Sequence, residues 1–244
     1  MYKRKGELPM KANKYLYGAL KFSSEIKEEK EKDLKTIDIT SEDLEAIIAQ
    51  VEADSSPVSI PDILEKETVQ SRTLYLNGVI EPESVDWMIQ MIHKWNREDT
   101  EHELSKDERQ PITLYINSEG GEAYAGSALL ATIENSITPV VGIVEGGMCM
   151  SMALLLWMGC HIRIVSKYSF VMYHTVRSGS DTKTLKEFNI MTQHYTYMQD
   201  MMDKLILEKT TVPKEFLKSK RESNLDWFIT YDELKKYGFA NAYQ

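Results

Sequence analysis

The stretch from Tyr115 to Ala153 constrains the fold of this chain more than any other. It reads YINSEGG, then a helical stretch, then VVGIVEGGMCMSMA. Two apolar strands each run into a glycine pair, Gly120–Gly121 and Gly146–Gly147, and Ser151 follows the second pair at the head of an apolar run. Without a Cβ, such corners let backbone N–H groups face a ligand closely. A serine at the start of an apolar helix beside them has the setting of a nucleophile opposite an oxyanion hole. Short steps of strand, helix, strand and helix also call for parallel pairing through right-handed crossovers, which is an α/β architecture.

The rest of the chain divides in two. Residues 1 to about 35 are lysine-rich, and 36 to about 68 are acidic, with Lys66 the one basic residue. TSEDLEAIIAQVEAD has Thr40 or Ser41 as N-cap and Leu44, Ile47, Ile48 and Val51 at helical spacing, and SSPVSIP reads as a linker. Residues 1–68 are therefore expected to be a charged, partly disordered extension with one short amphipathic helix, and 69–244 the folded domain. The domain opens with the strand TLYLNGVI and a helix striped by Val85, Met88, Ile89, Ile92 and Trp95. A charged loop, REDTEHELSKDERQ, follows. Beyond the glycine corners come a buried helix at SMALLLWMG and strands at HIRIVS and SFVMYHTV. The longest helical pattern, Thr182 to about Lys209, carries Leu185, Phe188, Met191, Tyr195, Met198, Met202 and Leu205 on one stripe, suited to core packing or to another subunit. Two short helical patterns flank SNLDWF in the tail.

A net charge of −9 gives no basic footprint for nucleic acid. The longest apolar run, Met148 to Met158, falls far below the roughly 20 residues of a membrane span. Cys149 and Cys160 lie in apolar surroundings and are expected to be reduced, in a cytoplasmic compartment. No Cys/His cluster has metal-ligand spacing, so no metal and no cofactor are expected.

A serine nucleophile needs a base. His93 and His102 lie in or near the charged loop, His194 lies on the long helix, and His161 opens a strand without an evident role. His174 ends the alternating run SFVMYH where it meets the polar loop TVRSGSDTK. Strand ends of that kind are where α/β sheets assemble their sites.

Taken in order, INSEGG, GMCMSMA, SFVMYHTV, LDWF and YDELKKYGFAN resemble the proteolytic subunit of the Clp protease (ClpP) over about Arg72 to Ala242. The resemblance implies a ClpP/crotonase-like spiral of repeated ββα units with a protruding long handle helix. It implies that Ser151 is the nucleophile, His174 the general base and Asp226 the carboxylate behind it, with the N–H groups of Gly121 and Met152 as the oxyanion hole. Glu222 and Asp232 compete for the third role, and Asp226 is preferred because it stands two before Phe228, as in the family pattern. Also implied are polypeptide substrates, self-association into rings, as two stacked heptamers, and a Clp-type ATPase unfoldase as partner. The chain departs from the family at Glu119, where proline is usual, and at Ala153, where glycine is. Three alternatives stand beside this expectation: a self-contained viral head maturation protease of the same fold, a crotonase-fold acyl-CoA enzyme and a non-catalytic ring subunit.

Overall fold

The computed structural model describes residues 60–177, 179 and 184–244. The expected amphipathic helix near Thr40 and most of the linker after it lie outside the described residues. The first element, α1 (Ile60–Ser71), occupies residues that composition assigns to the end of that linker and extension. Pro61 sits in its first turn, where a missing N–H costs no helical hydrogen bond.

From there the elements alternate: β1 (Thr73–Ile80), α2 (Pro82–Glu101), β2 (Ile112–Gly121), α3 (Ala123–Glu134), β3 (Val140–Val144), β4 (Gly147–Met150) and α4 (Met152–Gly159). After these come β5 (Ile162–Val165), β6 (Ser169–Tyr173), α5 (Leu185–Lys209), α6 (Lys214–Ser223), β7 (Trp227–Ile229), α7 (Tyr231–Tyr237) and β8 (Ala242–Tyr243). The strands run in the order β7-β6-β4-β2-β3-β5-β8, with β1 also on β2. Every pairing is parallel except β6 with β7. Strand β2 is the branch point. Its first half lies between β1 and β3, and Ser118 near its end pairs with Cys149 of β4.

The core gathers on α4, every residue of which is buried. A helix apolar all round must be enclosed on every side, and here strands and other helices enclose it. Trp157 meets its one polar need by donating its indole N–H to the Gly142 carbonyl at 3.1 Å. Helix α2 buries the expected stripe but runs on to Glu101, so the first part of the charged loop is helical. The cause is Asp99, 1% exposed, whose carboxylate takes the Arg72 guanidinium at 2.7 and 2.9 Å and a hydrogen bond from Thr138. Burial alone would raise its pKa. The hydrogen bonds from Arg72 and Thr138 and the Arg72 charge outweigh it and hold the carboxyl below the ordinary range.

Three strands are missing from the sequence reading, β4, β7 and β8, of four, three and two residues. His161 gains a role, since its Nδ1 accepts the Val140 N–H at 3.1 Å and so closes the entrance to β3. Partial burial, then the charges of Lys209 and Lys106, lower its pKa and favour the neutral ring that this bond requires. Among the described residues, no helix is long and apolar enough to cross a membrane.

Candidate active site

The two glycine corners meet. A Cβ built on Gly120 would lie 2.6 Å from the Ser151 Cβ, 2.8 Å from the Met150 oxygen and 3.1 Å from the Met152 nitrogen. Gly120 has φ +99°, so both the torsion and the space exclude a side chain. At Gly121 a Cβ would fall 2.2 Å from the Ile80 oxygen, so β1 closes against this corner from the other side. The first corner is thereby pressed onto the turn that carries Ser151.

Ser151 itself has φ 56° and ψ −124°, an unusual conformation for a residue with a side chain. It is held there from both sides. Its N–H donates to the Met172 oxygen of β6 at 2.9 Å, and its own carbonyl receives the Leu154 N–H at 3.1 Å. Ser151 is thus the N-cap of α4, and Met152 is the first residue of that helix. First-turn N–H groups have no partner within their helix, and the helix dipole favours negative charge there. Cys149, two residues earlier, is fully buried, and burial pushes its thiol far up, so it stays an uncharged packing residue.

Ser151, Met152, Gly120, Gly121 and His174 line one cleft of about 300 Å³. Leu154, Leu155 and Met202 add apolar wall. His174 is half-buried and follows directly on β6. Its Nδ1 lies 2.5 Å from the Thr175 carbonyl oxygen. A carbonyl only accepts, so Nδ1 carries the proton and Nε2 is left as the basic nitrogen. Among the described residues, no hydrogen bond joins Ser151 to His174.

Asp226 does not line the cleft; it directly precedes β7, which pairs antiparallel with β6. The register sets Val171 opposite Ile229, Met172 opposite Phe228 and Tyr173 opposite Trp227. His174 and Asp226 each lie one residue beyond the last of these pairs, and among the described residues no hydrogen bond joins them. Here the Asp226 carboxylate is ion-paired with Arg177, in the loop just past His174, while the imidazole N–H rests on Thr175. Of the two competing acids, Glu222 lies on α6 paired with Lys218 at 3.8 Å, and Asp232 lies in the first turn of α7. Of the three acids, only Asp226 directly precedes β7.

Two further residues went unnoticed in the sequence. Arg177 lines the cleft and holds Asp226, but one arginine in a polar loop carries no signal. Gln199 of α5 is 4% exposed and uses all its hydrogen-bonding groups. Its oxygen accepts the Val176 N–H at 2.7 Å, and its amide donates to the Tyr173 hydroxyl at 3.0 Å and to Asp203 at 2.8 Å. Tyr173 also donates to Asp203 at 2.6 Å. Burial first, then this bond and the Asp203 charge, push the phenol well above its ordinary pKa. Gln199 therefore grips the chain on both sides of His174. In the sequence Gln199 stands off the apolar stripe of the 25-residue α5, which suited core packing or another subunit.

Comparison with known proteins bears on the fold and the family. The curated relatives include ATP-dependent Clp protease proteolytic subunit 3 of a Synechococcus species, 30% identical over 138 residues, covering 56% of this chain and 68% of the relative. Proteolytic subunit 2 of Prochlorococcus marinus matches with the same identity and coverage. Among solved structures, a ClpP1 mutant from Listeria monocytogenes superposes with a TM-score of 0.60 at 22% identity, over 74% of this chain and 95% of that one. That likeness shows the ClpP/crotonase-like fold. The profile of the family described as Clp protease matches residues 64–242, nearly the whole of the described fold, and the chain belongs to that family.

Proposed function

We propose that the protein is a serine endopeptidase that cleaves peptide bonds by acyl transfer. Ser151 attacks the carbonyl carbon, and His174 Nε2 takes the hydroxyl proton and passes it to the leaving amine. The N–H groups of Gly121 and Met152 hold the developing oxyanion, and water, activated by the same imidazole, releases the acyl-enzyme. The convergence of the Gly120 corner, Ser151 and His174 on one cleft carries this reading. Asp226, which like His174 lies one residue beyond the paired strands, supports the imidazolium once it exchanges Arg177 for the ring N–H. Until then the Thr175 carbonyl keeps the productive tautomer. The protein works in the cytoplasm, in rings stacked through α5, and a Clp-type ATPase feeds it polypeptides. The relatives' being ATP-dependent Clp protease proteolytic subunits and the exposed apolar side chains of α5 support that assembly.

A fluorophosphonate probe tests the chemistry. Wild-type protein is expected to be labelled at Ser151, and Ser151→Ala and His174→Ala are expected to lose labelling. Assembled protein that stays unlabelled at Ser151, with His174→Ala unchanged from wild type, overturns the reading.

A further inference from the structure

Among the described residues, the cleft beside Ser151 carries one charge that the fold does not use. Alternation along the end of β2 buries Ser118 and Gly120 and turns Glu119 outward. The buried pair is fixed, since Gly120 donates its N–H to the Ser118 hydroxyl at 3.0 Å and packs on Ser151. Glu119 is nonetheless among the residues that line the cleft, one residue from the contact with Ser151. Its neighbour Glu122 has a structural task, accepting the N–H groups of Tyr124 and Ala125 at 2.9 and 2.6 Å as the cap of α3. Glu119 has no hydrogen-bond or ion-pair partner among the described residues. The other permanently charged residue of the wall, Arg177, is engaged by Asp226. Among the described residues, what the cleft offers a substrate is thus one free carboxylate beside an apolar wall of Leu154, Leu155 and Met202.

We infer that Glu119 makes the enzyme select polypeptide segments with lysine or arginine within two residues of the cleaved bond. The inference rests on the peptidase reading and names its substrate class. An extended chain advances about 3.3 Å per residue, so only the residues next to the reacting carbonyl pass within reach of a glutamate at this distance from Ser151. A carboxylate there attracts a basic side chain and repels an acidic one. A single solvent-exposed pair is worth roughly a two- to fivefold change. A lysine-to-glutamate exchange counts both attraction and repulsion, and an apolar wall on one side strengthens each.

The test uses two peptidyl fluorophosphonates, identical except for lysine or glutamate in the residue next to the phosphorus. Their rates of covalent labelling at Ser151 are measured on the full chain. In wild type the lysine probe is expected to react about five- to tenfold faster, with the ratio shrinking at about 0.5 M salt. Glu119→Gln brings the ratio close to one, and Glu119→Lys inverts it. An unchanged ratio across wild type and both variants overturns the inference while leaving the peptidase reading intact. Failure of both probes to label Ser151 overturns the two together.

Discussion

Ser151 pays for its position in backbone strain and is kept there by what surrounds it. A left-handed torsion on a residue with a side chain costs on the order of 1–3 kcal/mol, persisting only where neighbours fix it. Here the neighbours are Met172, which takes the serine N–H, and Gly120, which leaves no room to relax. Gly120→Ala is therefore expected to destabilise the protein by about 2–4 kcal/mol in urea unfolding, and to abolish fluorophosphonate labelling by displacing Ser151. Asp226 has a gentler role in the arrangement seen. Where an aspartate alone sets the histidine tautomer, its amide substitute costs about 10⁴ in turnover. The Thr175 carbonyl already holds the His174 N–H, so Asp226→Asn is expected to slow Ser151 labelling by only about 10². A loss of 10⁴ would mean that Asp226, not Thr175, sets the tautomer in the working enzyme. The glycine corners and the strand-end histidine were legible because local torsion and alternation mark them. The Arg177 contact was not, because it joins residues brought together only by the β6–β7 pairing.

At the scale of elements, one charge pair ties α2 to the strands on either side. Arg72 precedes β1, Asp99 lies on α2, and Thr138 precedes β3, so the buried carboxylate joins three parts of the fold. Removing one partner of such a pair leaves the other charge enclosed without compensation, at about 3–5 kcal/mol. Asp99→Ala is expected to lose that much stability at neutral pH. The pH dependence has a definite sign. The folded pKa of Asp99 is depressed, so the unfolded chain binds the proton more readily, and its contribution is present above the unfolded value near 4. It is lost as the pH falls through the folded value. The gap between wild type and Asp99→Ala, read from urea midpoints, should therefore be widest near pH 7 and narrow steadily below pH 4. Element types followed well from periodicity, since β1, β2, α3, α4 and β6 all carry clear alternation or an apolar block. The ends followed poorly. Asp99 looked like part of a solvated charge run because its partner stands 27 residues away. Strands as short as β4 and β8 have too few residues to show a period, and tertiary pairing alone defines them.

For the molecule as a whole, the proposed assembly into rings rests on α5. Its buried residues, Met198, Gln199, Leu205 and Ile206, all lie in the C-terminal half, and the residues from Leu185 to Tyr197 are exposed or half-buried. The stripe that periodicity reads as continuous therefore divides, one half packing on the core and the other extending beyond it. Exposed apolar residues on that free half include Leu185 at 77%, Phe188 at 60% and Ile190 at 57%. Grouped large apolar side chains of this kind mark a surface meant to be covered. The same helix carries Gln199, whose side chain fastens Tyr173 and Val176 around His174. Assembly through α5 should therefore act on the base as well as on particle size. Phe188→Glu with Ile190→Glu buries like charges in the contact and is expected to shift the protein to smaller species in analytical ultracentrifugation. Labelling of Ser151 should fall with it, though neither residue lines the cleft. Gln199→Leu separates the two effects: particle size is expected to stay, while the labelling rate drops about tenfold and its pH midpoint moves as the loop around His174 loosens. A Gln199→Leu protein that assembles and labels like wild type at every pH would show that the helix supports the ring and does not hold the base.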